Sequence, residues 1–153
     1  MSKGLIAVLG AVLLVALVAG CGSSSDSDSD ALTKPEFIKQ ADAICTKGEK
    51  SIEDGAEKFA EDNDVNTQNP TEEQQEEVIQ QVVAPEIRQQ AEEIDELGAP
   101  EGDESEVEAI VTAVEEGADE LEDKPKLLIE GKNPLTAGSK LAKEYGLKVC
   151  GEE

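Results

Sequence analysis

The 153-residue sequence has no histidine and no tryptophan, and its aromatic residues stop at Phe37, Phe59 and Tyr145. Without histidine there is no Ser-His-Asp or Cys-His site, no His-ligated metal centre, and no side chain that ordinarily titrates near neutrality. Three aromatics offer little surface for stacking on nucleobases. Basic residues are scarce too: 13 Lys and Arg stand against 36 Asp and Glu, a formal charge of -23. A chain so acidic repels phosphate, and nucleic-acid binding is excluded. Ser-x-x-Lys and a glycine-rich phosphate loop are missing as well. Carboxylates are plentiful, but general acid catalysis needs one carboxyl with a raised pKa in a pocket, and the pattern puts nearly all of them on solvated helix faces. The expectation is a non-enzymatic protein with no cofactor and no metal centre.

The N-terminus carries one positive charge, Lys3, ahead of about fifteen apolar and glycine residues ending at Gly20, the pattern of a secretory signal and too short to span a membrane comfortably. The run ends Leu17-Val18-Ala19-Gly20-Cys21, which resembles the lipobox of bacterial lipoproteins. That resemblance implies cleavage after Gly20, a diacylglycerol and fatty acyl anchor on Cys21, and a mature protein on the extracytoplasmic face of the bacterial cell membrane. Two or more acyl chains hold a protein durably, each buried methylene adding about 0.8 kcal/mol. Next comes a Ser/Asp tract, Gly22 to Asp30, with no side chain able to enter a core. The expected organisation is a cleaved signal over 1–20, a lipidated cysteine and flexible tether over 21–32, and an acidic helical domain over 33–153. Twelve tether residues reach roughly 17 to 21 Å, just clear of the headgroups.

With Cys21 assigned to lipid, Cys45 and Cys150 remain as an even pair in an oxidising compartment, and a disulfide is their simplest use. Free buried thiols and a redox or metal pair are the competing readings. A metal pair would need further ligands, which the sequence does not offer.

From Leu32 onward the apolar residues follow helical periodicity. Phe37, Ala41, Ile44, Cys45, Gly48, Ile52 and Phe59 share one face of a long helix, opened by Thr33 as N-cap with Glu36 in the capping-box position and Leu32 as staple. A second helix is expected from Asn69-Pro70 to Gly98. Its two apolar stripes, one through Val78, Ile79, Val82 and Val83, the other through Ile87, Ala91, Ile94 and Leu97, are rotated by roughly 90° on a straight helix. A kink at Pro85 would let both face one core. A third helix runs from Asp103 through Leu121, with Glu106 at its capping-box position. A short apolar piece, Leu127-Leu128-Ile129, precedes a last helix from Asn133-Pro134 to Tyr145, with Gly146 as its C-terminal cap. The expected fold is all-α: an antiparallel bundle of three long helices, the second kinked, plus one or two short C-terminal helices, closed by the disulfide. Pro85-Glu86-Ile87, the Ala99 to Glu104 stretch and the ending Tyr145 to Gly151 resemble small helical lipoproteins of high-GC Gram-positive bacteria. The resemblance implies the fold and no chemistry.

Between Lys58 and Lys124 the one basic residue is Arg88, against 23 acids, whereas the segment from Lys124 to Glu153 holds six Lys and four acids. This contrast favours docking the last helix on the acidic body. Acidic faces suit a solvated surface held off anionic lipid, adaptation to high salt, or binding of cations or a basic envelope partner. One loop has calcium-like spacing: Asp62, Asp64, Asn66 and Glu73 fall at positions 1, 3, 5 and 12 of a calcium loop. Thr67 replaces the turn glycine and Pro70 interrupts the loop, so the simpler reading is a polar connection with Asn69 as a cap. Arg88 is expected to pair with acids of its own bundle, and Tyr145 to pack in the core beside the closing cysteines. The leading expectation is a lipid-anchored interaction, spacer or envelope-accessory module. The alternative is a binding protein for calcium, another cation or a small ligand.

Overall fold

The computed structural model describes residues 31–151; the expected signal segment, the lipid site Cys21 and tether residues 21–30 lie outside the described residues. The described chain is all-helical, with no strand among the described residues, and carries a Cys45–Cys150 disulfide. Helix α1 spans Lys34–Asp62. Thr33 is its N-cap in extended backbone, and the Thr33 N–H and hydroxyl donate to Glu36 Oε2 at 3.0 and 2.6 Å. Pro35 sits in the first turn, where a missing N–H removes no intrahelical bond. The expected face is buried at Phe37, Ala41, Cys45, Gly48 and Phe59, and Leu32 packs against the cluster that contains Phe37.

The second helical run begins two residues later than Asn69-Pro70 suggests. Helix α2 spans Glu72–Val78 behind Thr71. Gln74 N–H donates to Thr71 Oγ1 at 3.2 Å while Thr71 N–H donates to Gln74 Oε1 at 3.0 Å. This reciprocal box satisfies two amides that the Asn69-Pro70 start would leave to solvent. Asn69 instead closes a turn, donating its N–H to Asn66 O at 3.0 Å.

In place of a simple kink, a π-helical segment over Ile79–Val83 joins α2 to α3, which spans Ala84–Glu96. Ala84 N–H donates to Ile79 O, five residues back. One extra residue in a turn is worth about 100° of helical register, close to the offset between the two apolar stripes. The wide turn also contains Gln81, the residue whose carbonyl a proline at position 85 would strike in a regular helix. The register is reset where Pro85 requires an irregularity, and Ile79, Ala84, Ala91 and Ile94 are all buried.

Helix α4 spans Glu104–Asp123, α5 spans Lys126–Ile129 and α6 spans Thr136–Tyr145. The last helix opens after a turn on Asn133, whose Oδ1 accepts from Leu135 N–H at 3.0 Å. Gly146 closes it with φ +115°, a left-handed conformation that L side chains resist. Leu147 N–H then returns to Ala142 O at 2.9 Å, and the reversal buries the Leu147 side chain to 2% exposure. Helix α3 packs against α1 and α4, α4 packs against α6, and α5 touches α2 and α4. A main core cluster gathers around Phe37, Ile94, Ile110 and Tyr145, and a smaller one around Ile79, Ala84 and Leu121.

Beyond Gly146 the chain has no helix to hold it, and α1 supplies the hold. The disulfide joins residues 105 apart with a Cα–Cα distance of 5.4 Å. One turn earlier, the Asp42 carboxylate accepts from Lys148 N–H and Val149 N–H, both at 2.9 Å. The chain-entropy model gives about 4 to 5 kcal/mol for a loop of this length before native strain is subtracted. Cys45→Ser and Cys150→Ser should therefore each lower stability by up to about 4 kcal/mol, and the double variant by the same amount, because either single change breaks the shared bond. Denaturant melts that gave additive losses would contradict this. Asp42→Ala should cost about 2 kcal/mol with the disulfide intact, the loss expected for hydrogen bonds to a charged acceptor; an unchanged midpoint would contradict the clamp.

Candidate functional site

One concave feature that the helices build together is a mostly apolar cavity of about 200 Å³ between α1, α3, α4, α6 and the C-terminal segment. Its walls are mostly hydrocarbon: Ile52 from α1, Ile87 and Ile94 from α3, Ile110 and Val114 from α4. Val149 and the Cys45–Cys150 disulfide form the side that the C-terminal segment closes. Three polar side chains reach it, Glu49, Gln90 and Ser139, of which Ser139 is 9% exposed. Among these lining residues Glu49 is the one exposed position and the one that carries a charge.

A second constellation ties the start of α1, the start of α4 and the end of α6. Asp103 occupies the backbone cap position expected of it, but its side chain makes no cap hydrogen bond. The carboxylate instead accepts from the Tyr145 hydroxyl at 2.8 Å and pairs with Lys34 Nζ at 3.1 Å. Lys34 Nζ also stands 3.8 Å from the centroid of the Tyr145 ring, a cation over the negative face of the π system. The same ring meets Phe37 edge-on, with centroids 5.9 Å apart and planes at 85°. The Tyr145 hydroxyl and the Lys34 ammonium hold the Asp103 carboxyl below its usual range. Burial, and then the bond to Asp103, push the Tyr145 phenol well above its ordinary value. Tyr145 is in the core as its apolar spacing suggests, but its polar partner is invisible in a linear reading because Asp103 lies 42 residues away.

The calcium-like residues are not brought to one point. The Asp62 carboxylate pairs with Lys58 Nζ at 2.7 Å, and Asn66 Oδ1 accepts from Gln68 N–H at 3.1 Å. Asp64 takes φ 52° at the turn, and Glu73 sits in the first turn of α2. Among the described residues no group of three or more His, Cys, Asp or Glu side chains is arranged to hold a metal ion. Arg88 pairs within its own helices, its Nη2 at 2.7 Å from both Asp119 Oδ1 and Glu122 Oε2. No described helix is long and apolar enough to cross a membrane. No protein-family model, curated protein or solved structure matches this chain.

The Asp103–Tyr145 bond carries a pH signature. A phenol whose folded pKa is raised contributes stability that is fully present below its ordinary value of 10.0 and is lost as pH rises through the folded value. Tyr145 is the chain's one tyrosine, so tyrosinate absorbance reports it alone. In alkaline titration that absorbance should lag the free phenol and rise together with loss of helical circular dichroism. Tyr145→Phe should flatten the fall in thermal midpoint above about pH 10. Ionisation at the free-phenol position with the helices intact would contradict the buried bond. At the acid end, stability contributed by the depressed Asp103 carboxyl is present above the ordinary carboxylate range and lost as pH falls through its folded value.

Proposed function

We propose that this protein is a lipid-anchored, non-enzymatic helical module on the extracytoplasmic face of a bacterial membrane, acting as a spacer, interaction or envelope-accessory domain. The observation that carries this reading is the allocation of the three cysteines. Cys45 and Cys150 are joined to each other, so Cys21 is the remaining cysteine, and it stands at the end of a signal-like apolar run in a lipobox-like context. A structural disulfide belongs with an oxidising compartment, the side of the membrane to which such a signal delivers a chain. In this reading the helices form an antiparallel bundle, held at tether length from the headgroups by the acidic Ser/Asp segment, and its negative surface keeps it from lying down on anionic lipid. A basic envelope protein is the partner class that such a surface favours.

Replacement of Cys21 tests the anchor directly. Cys21→Ala should release the protein from washed membranes into the soluble fraction or leave it as an uncleaved precursor, and should remove the acyl mass seen by intact-protein mass spectrometry. Unchanged membrane retention and unchanged processing would overturn the reading.

A further inference from the structure

The cavity has mostly hydrocarbon walls and one charged lining residue, the exposed Glu49, and that combination names a class of occupant. We propose that it binds a small amphiphile with a hydrocarbon tail of about six to eight carbons and a cationic, hydrogen-bond-donating head, of which a primary alkylammonium is the simplest representative. The tail is set by volume. An apolar cavity of about 150 Å³ takes up benzene, a six-carbon ligand, and the cavity here measures about 200 Å³. The walls supply the matching surface in Ile52, Ile87, Ile94, Ile110 and Val114, and no charged group interrupts it until Glu49.

The head is set by electrostatics. Glu49 is the exposed member of the lining and so marks the mouth. Gln90, half-buried on α3, lines the same cavity and offers an amide oxygen. A carboxylate head at this mouth would face Glu49 and the field of a chain carrying a formal charge of -23, whereas an ammonium is drawn in by both. The disulfide and Val149 form one wall, so the site exists in the crosslinked protein and its shape depends on the C-terminal segment being pinned.

The test compares three probes of equal tail length, hexylammonium, hexanol and hexanoate, titrated calorimetrically into the full chain in phosphatidylcholine nanodiscs, with empty nanodiscs subtracted. Hexylammonium should bind about tenfold more tightly than hexanoate, a margin of about 1.4 kcal/mol. Glu49→Gln should bring its affinity down to that of hexanol, while leaving hexanol unchanged. Ile52→Phe, from α1, and Val114→Phe, from α4, should each abolish binding of all three probes, and two blocking variants from different helices guard against the misfolding of one. Circular dichroism identifies the folded variant that is read. Absence of binding by any probe would overturn the proposal. So would hexanoate binding as tightly as hexylammonium, or hexylammonium binding a folded cavity-filled variant as it binds wild type, since both would place the interaction on the acidic surface or elsewhere.

Discussion

The covalent link between α1 and the last residues of the chain is the constraint on which the other features depend. Large side chains are few in this protein: Phe37, Leu121 and Leu147 are the biggest that are completely enclosed, and many helix contacts rest on Ala, Gly and Val. A small core of this kind supplies a modest net stability, of the order of 5 to 15 kcal/mol for a domain. A crosslink worth about 4 to 5 kcal/mol in the chain-entropy model is then a large share of the whole. Its local effect is as important as the global one. The segment after Gly146 has no helical hydrogen bonds of its own, so Asp42 and the disulfide together fix the backbone that encloses one side of the cavity. They also hold the end of α6, and with it Tyr145, over the start of α1.

How much of this could be read in the linear sequence depends on the range of the interaction. The all-helical class, the buried stripe of α1, the Thr33–Glu36 start, the glycine end of α6 and the pairing of Cys45 with Cys150 were legible because each is a short-range pattern or follows from counting. Arg88 was legible for a different reason: a lone guanidinium among so many carboxylates finds partners wherever the helices place it. The shifted start of α2 was also a local signal, in Thr71 and Gln74, but Asn69-Pro70 is an equally good cap pair, and hydrogen-bond count decides between them. Asp103 and Asp42 were not legible. A cap aspartate can serve its own helix or a distant hydroxyl, and a mid-helix aspartate looks like any solvated acid until the far end of the chain arrives beside it. The cavity was out of reach altogether, since it is a volume between four helices and no single face announces it.

Net charge and ion pairs have different consequences here. Lys47 with Glu93, Lys126 with Glu72 and Glu76, and Arg88 with Asp119 and Glu122 link separate helices at 2.7 to 3.3 Å. All are at least partly exposed, and pairs of this sort contribute about 0 to 1 kcal/mol each. They orient helices more than they hold them. The uncompensated remainder of the acidic charge is felt at a distance, through the potential it sets up around the molecule, and a potential of that sign governs what approaches: cations and basic surfaces are favoured, phosphates and anionic lipid are not.

The π-helical segment and the cavity are connected through the geometry of α3. Pro85 forbids a regular helix through residue 81, and the wide turn that answers it resets the register by about one residue. With that reset, α3 brings Ile87, Ala91 and Ile94 round toward α1 and α4. It also brings Gln90, whose side chain lies against Gly48 so closely that a Cβ there would stand 2.1 Å from the Gln90 amide carbon. At this crossing the buried Gly48 leaves just the room that the Gln90 side chain fills. The hollow beside this crossing takes its apolar walls from Ile52, Ile87, Ile94, Ile110 and Val114 and its polar groups from Glu49, Gln90 and Ser139. A straight helix with the same residues would turn one of its two stripes to water, so the irregularity at Ile79–Val83 is what makes the buried face of α3, and the hollow beside it, compatible with one continuous run of chain.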